Sequence, residues 1–213
     1  CVEVVKYILE HGISTFMSKM GEGQDSGEGK PDAKGAALMS RLGVLVVCRF
    51  ERLLVEEQSV IRCASVAGVE FSICLLQVVM PRNIRAQLEL IIQALVTAKF
   101  LVYSRHSYYR FRSTMVHTVL YNLTPASSRK KIHKAVADYY MFKHADEPHY
   151  LSVITYHLIK AKGDMPRAVE FLCKTAAHAL LYSCYEDCAE ALEKAVVLVG
   201  NAAEIHEVCL RVY

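Results

Sequence analysis

The sequence predicts a mainly α-helical chain carrying one small β-hairpin, followed by short paired helices that read as the start of a helical repeat. Three observations predict it. Apolar residues recur at helical spacing through most of the chain. A single pair of β-favouring runs, Phe100–Tyr103 and Tyr108–Arg112, follows three such helices. Residues 166–199 divide into two helical stretches in which Glu170, Leu172 and Lys174 match Glu190, Leu192 and Lys194 at an offset of 20 residues.

Taken in order, residues 2–20 have apolar side chains at helical spacing, interrupted near Gly12. Residues 21–36 change character: five Gly, one Pro and several charges, with nothing large and apolar, which is the composition of a flexible linker or insertion. Gly29-Lys30 within it fails as a phosphate-binding loop. Gln24 stands where the first Gly is needed, Pro31 replaces the hydroxyl, and no strand precedes it. From Leu42 the pattern is helical up to Gly68, which reads as a C-cap. Ser72 can cap a short helix through Met80, stopped by Pro81, and one longer helix follows over about Arg82–Lys99. Its stripe is Ile84, Leu88, Ile91, Ile92, Leu95 and Val96.

The hairpin comes next, with Ser104–Ser107 as its turn. Three helices and then a small hairpin is the layout of a winged-helix domain. Helices resume over Thr114–Asn122, from Thr124-Pro125 to about Lys143, and over Tyr150–Lys162. The paired stretches Pro166–Tyr182 and Tyr185–Val199 carry small residues (Ala168, Ala176 and Ala177; Ala189, Ala191 and Ala195) that let helices approach closely. Ala202–Tyr213 reads as a further helix. The expected organisation is therefore a helical end of a preceding domain at 1–20, a linker at 21–36, a winged-helix-like domain at 37–145 and a helical-repeat region from 146 to 213.

Composition narrows the class. Just over half of the 213 residues are apolar and 22% are charged, the balance of a globular chain. No apolar run approaches the roughly 18–20 residues of a membrane span, and the N-terminus lacks a signal-peptide order. A first residue of Cys1 rather than Met reads as a start inside a longer polypeptide. These features point to a soluble, cytoplasmic protein. Cys48, Cys63, Cys74, Cys173 and Cys209 sit among apolar residues and read as buried, reduced thiols, and the Asn122-Leu123-Thr124 sequon reads as coincidence.

No catalytic constellation emerges. The six Asp residues fall in linkers, caps or exposed helix positions, and no nucleophile elbow occurs. Cys184 with Cys188, and His144 with His149, are too few and too loosely spaced for structural zinc. Neither a catalytic, a cofactor nor a metal residue is assigned. The sharpest charge feature spans Lys99–Lys143, with nine Lys or Arg against the single acid Asp138. Arg105, Arg110, Arg112, Arg129, Lys130, Lys131 and Lys134 form the candidate interaction surface. Tyrosines interleave with the hairpin arginines, so nucleic acid is one reading. The helix that would enter a DNA groove has only Arg82, Arg85 and Lys99 as cations around an apolar centre, which favours a protein-facing surface.

Several stretches also resemble a known family. Arg49-Phe50-Glu51-Arg52-Leu53, Glu56-Glu57-Gln58 and Ala64–Phe71 resemble the segment just after the ATPase core of signal-transduction (STAND-type) ATPases. Tyr109-Arg110-Phe111-Arg112 with Val116–Tyr121, and Arg129-Lys130-Lys131-Ile132-His133, are similar to its winged-helix segments. Cys1–Gly12 resembles the end of the ATPase helical subdomain. Tyr156-His157-Leu158, Gly163-Asp164 and Ala168–Ala176 resemble the start of tetratricopeptide-like repeats. Within that family the style is closest to the soluble adenylyl cyclases. The resemblance implies a non-catalytic regulatory or scaffold segment of a multidomain signalling ATPase that makes cAMP from ATP elsewhere. ATP and Mg would be held by domains outside this chain. Partners would be those ATPase and cyclase domains and proteins bound through the repeats. The alternative is a DNA-binding winged-helix regulator of the same superfamily.

Overall fold

The structure, a computed structural model, describes residues 33–145 and 147–199. Expectations for residues 1–20, for most of the 21–36 linker and for Ala202–Tyr213 lie outside the described residues. The chain is mainly helical, with a small three-stranded antiparallel sheet. Its contacts divide it into two compact units that part at Thr124/Pro125, with Cys74–Met80 counted in the second. Among the described residues no helix is long and apolar enough to cross a membrane.

The first unit opens with α1 (Ala33–Glu51), which begins inside the stretch read as linker: residues 33–36 are its first turn. The helix expected to run through to Gly68 instead breaks at Arg52–Leu54 and restarts as α2 (Val55–Ala67). At the restart the Glu57 carboxylate accepts from the Leu54 backbone N–H at 2.9 Å, and this half of a capping box satisfies one orphan donor. Gly68 closes α2 at φ 144°, a conformation that favours glycine, and donates its N–H to the Ala64 carbonyl.

Strand β1 (Glu70–Ser72) follows and was not anticipated from the sequence. After it come α3 (Ile73–Val79), α4 (Arg82–Arg85) and α5 (Leu88–Thr97). The single helix expected over Arg82–Lys99 is thus two, because the backbone leaves helical geometry at Gln87. The stripe survives the break: Ile84, Leu88, Ile91, Ile92 and Leu95 are all buried.

Strands β2 (Leu101–Arg105) and β3 (Tyr108–Phe111) form the hairpin. Its turn is tighter than expected, with His106 and Ser107 both at positive φ, as two-residue hairpin turns require. Sheet order is β1-β3-β2, so β1 pairs with the second hairpin strand, Glu70 opposite Arg110 and Phe71 opposite Tyr109. One face of the sheet carries Phe71, Leu101 and Phe111, all buried, with the Phe71 and Phe111 ring centroids 6.0 Å apart. Each such side chain removed from water contributes roughly 1.5–3 kcal/mol. Helix α6 (Thr114–Leu123) is capped by the Ser113 hydroxyl, which accepts from the Val116 N–H, and packs on α1 and α2.

In the second unit, α7 (Ala126–His144), α8 (Pro148–Ala161), α9 (Met165–Leu181) and α10 (Tyr185–Val199) each pack on the next. Their ends follow the sequence signals. Pro148 and Pro166 sit in first turns, Asp164 caps α9 by accepting from the Arg167 N–H, and Lys162 ends α8 in the left-handed region. The core between α9 and α10 is built largely of small side chains: Cys173, Ala176, Ala179, Cys188, Ala191 and Ala195.

Candidate partner-binding surfaces

The basic residues singled out from the sequence fall in both units. Arg105, Arg110 and Arg112 lie on or just after the hairpin and are exposed. Lys130, Lys131 and Lys134 are exposed on α7, while Arg129 is half-buried there. The strand that sequence reading missed changes the hairpin's electrostatics. From β1, Glu70 accepts a hydrogen bond from the Ser104 hydroxyl at 2.6 Å and lies 4.0 Å from the Arg105 guanidinium. A carboxylate therefore stands within the basic hairpin, directly opposite Arg110 in the register. Arg105 also covers the Tyr108 ring. Of the three interleaved tyrosines only Tyr103 is exposed, and its ring meets Tyr109 edge-on at 5.8 Å.

The break before α5 matters equally. It takes Arg82 and Arg85 off the helix that a DNA groove would receive. Exposed positions of α5 are Glu89, Leu90, Gln93 and Thr97, and no Lys or Arg lies within Leu88–Thr97. Leu90, 74% exposed at its centre, suits a protein contact better than a phosphate backbone.

Polar side chains tie each unit together, half-buried or exposed in the first and buried in the second. In the first, His117 on α6 donates from Nε2 to the Ser65 carbonyl of α2 at 2.8 Å, and its ring sits edge-on to Phe111. Burial lowers its pKa, partly offset by that hydrogen bond. Arg49 donates to the Ala98 carbonyl and lies over the Phe100 ring. In the second unit His133 and His157 meet across α7 and α8, Nδ1 to Nδ1 at 2.8 Å, both buried. Burial, with the charges of Lys160 and Arg129, pushes His133 down to about 4; burial and His133 push His157 down to about 3. The two positions are 24 residues apart on separate helices, and no spacing rule marks them as partners.

All six described cysteines are free thiols. Cys63 and Cys173 are buried as expected, but Cys48 and Cys74 are exposed. An apolar neighbourhood in sequence does not say which face of a helix a thiol occupies. Of the loose metal-spaced pair, Cys184 is exposed and Cys188 buried. Among the described residues no group of three or more His, Cys, Asp or Glu side chains gathers as a metal site. His144 instead bonds Glu147 at 2.7 Å and stacks on Tyr150 at 4.1 Å.

The second unit also holds a cavity of about 710 Å³ bordered by α8, α9 and α10. Leu151, Ile159, Leu172 and Ala179 give it apolar walls, and Thr155, Thr175, Tyr182, Asp187, Glu190 and Lys194 its polar lining. Sequence reading did not find it, because it is a product of how three helices pack. No protein family, curated protein or solved structure matches this chain.

Proposed function

We propose that the chain is a non-catalytic regulatory and scaffold segment of a multidomain signalling ATPase, of the soluble adenylyl cyclase type. In this reading a winged-helix domain lies within residues 37–145, and a tetratricopeptide-like array begins after it and binds protein partners. The observation that carries it is topological. Helix, short strand, three further helix segments (the last two the halves of one apolar stripe) and a hairpin follow in that order, with β1 beside β3. A winged-helix domain uses this arrangement, and three helices, α8 to α10, each packed on the next, then follow, as a stacked array requires. The repeat reading has local support as well. Both matched pairs, Glu170 with Lys174 and Glu190 with Lys194, are ion pairs one helical turn apart, at 2.9 and 2.6 Å. The module would hold the ATPase closed and release it when the array binds a partner, which requires a two-state element contacted differently in each state.

The test is the coding sequence preceding Cys1. The expected result is a phosphate-binding loop roughly 200–300 residues upstream, by ordinary domain sizes, with two cyclase domains before it. An initiating methionine directly before Cys1 would refute the reading. Duplex DNA offers a second check. Salt-dependent binding lost on substitution of Arg105, Arg110 and Arg112 would favour the DNA-regulator alternative, and no binding at low salt would remove it.

A further inference from the structure

The lining of the α8–α10 cavity includes two hydroxyls whose hydrogens are already donated and one carboxylate without a partner among the described residues. Thr155 donates its hydroxyl hydrogen to the Leu151 carbonyl and Thr175 to the Phe171 carbonyl, each at 2.8 Å on its own helix. With those hydrogens committed, both oxygens can only accept from a ligand. Lys194, the cavity's one lysine, donates to Glu190 at 2.6 Å, and the two charges offset each other. Asp187, exposed in the first turn of α10, has no hydrogen-bond or ion-pair partner among the described residues. The uncompensated carboxylate is therefore negative, although the whole chain carries a net charge of +3. Beside these acceptors Tyr182 is 69% exposed, its ring 4.8 Å from His178, while the half-exposed Tyr156 ring already has the Lys160 ammonium 5.8 Å from its centre. Aromatic faces attract cations. The remaining walls are apolar, and the volume exceeds what a lone charged head group would fill.

We propose that this cavity receives a basic segment of a partner polypeptide, an arginine or lysine side chain lying against Asp187 and Tyr182 with its apolar neighbours on Leu151 and Leu172. Guanidinium suits it best, since five N–H donors can meet several fixed acceptors at once. An acidic segment would face the Asp187 carboxylate. The inference rests on the reading of α8–α10 as a partner-binding array, and is independent of the ATPase relationship.

The experiment uses the whole 213-residue chain and a phage-displayed library of random twelve-residue peptides, followed by fluorescence anisotropy with a labelled synthetic copy of the leading sequence. Enrichment of arginine or lysine flanked by apolar residues is expected. Affinity should fall at least about tenfold in Asp187→Asn, the loss of one charge-assisted hydrogen bond. A comparable loss is expected in Ser152→Trp, which fills the cavity from an exposed position, with thermal melts unchanged in both variants. Enrichment of acidic or uncharged peptides would overturn the inference and leave the array's partner-binding role standing. Binding indifferent to both substitutions would overturn it too. No enrichment of any peptide would remove both.

Discussion

His133 and His157 share one proton between their Nδ1 atoms, 2.8 Å apart in the interior of the second unit. One ring must donate and the other accept, so the pair carries opposite Nδ1 protonation. Adding a proton to the acceptor would set two N–H groups face to face in a site that already disfavours charge. Arg129 and Lys160 sharpen the effect on His133, which is pushed down to about 4. The bond that fastens α7 to α8 is lost once both Nδ1 atoms carry a proton.

That neutrality predicts how stability depends on pH. Both folded-state values, about 4 and about 3, lie below the ordinary 6.5. Between the folded and the ordinary values the unfolded chain binds more protons than the folded one, so unfolding free energy rises with pH. The contribution is complete above about 6.5 and is lost as pH falls toward 4 and then 3. Each tenfold weakening of proton binding on folding corresponds to about 1.4 kcal/mol. Urea unfolding at about pH 7 and about pH 4.5, on either side of most of that loss, should show a lower midpoint at the acid end. Replacing both histidines should flatten the difference. An equal acid loss in the double variant would show that other groups are responsible.

Substituting one ring at a time separates pairing from packing. His157→Leu keeps the volume filled but leaves the His133 Nδ1 buried opposite a methyl group. The expected cost is about 1–3 kcal/mol, the penalty of an orphaned polar group. His133→Leu combined with His157→Leu should cost less than the two single losses added together, because neither Nδ1 is then left facing a methyl group. A double-mutant cycle measures this coupling directly. Additive losses would mean that the hydrogen bond contributes nothing beyond shape.

The parts of the fold legible in the sequence were those fixed by local chemistry. Pro125 and Pro166 announce helix starts, Gly68 a helix end, and the aromatic and β-branched runs around residues 100–112 the hairpin. What escaped depends on distant partners. Strand β1 has three residues, too few to show a period, and exists because β3 lies beside it. The turn at Gln87 interrupts a stripe whose spacing still reads as one helix. The site was less legible still. The arginines were found by counting charge, but Glu70, which tempers them, lies on the missed strand. The cavity and the histidine pair arise from helix packing, which no sequence spacing records.

Gly68 is the position where backbone conformation alone dictates the residue. At φ 144° and ψ 178° it turns the chain from α2 into β1. An added Cβ would stand 3.4 Å from the Glu70 carbonyl, which is tolerable contact, so the cost of Gly68→Ala is conformational. About 1–3 kcal/mol of destabilisation is expected, read as a lower urea midpoint with unchanged slope. A variant as stable as the unsubstituted chain would mean that the backbone leaves α2 along another path.

Phe71→Ala tests whether β1 is integral to the sheet. Phe71 is 1% exposed, and its ring rests on Phe111, which in turn contacts His117 on α6. Truncation removes buried apolar area and leaves a cavity, so a loss of about 3–5 kcal/mol is expected. Position-specific hydrogen exchange gives the sharper reading. The Phe111 amide donates to the Val69 carbonyl and the Ile73 amide to the Ser107 carbonyl, bonds that flank the β1–β3 pairing. Both amides should lose protection in the variant, while the Arg112 amide, which donates to Phe100, should keep it. The milder Phe71→Leu preserves a fold if alanine does not, and should rank between the two. Unchanged protection at Phe111 and Ile73 would show that β1 holds to the sheet by backbone bonds alone. The aromatic relay from Phe71 to His117 would then have no part in fixing the hairpin's position.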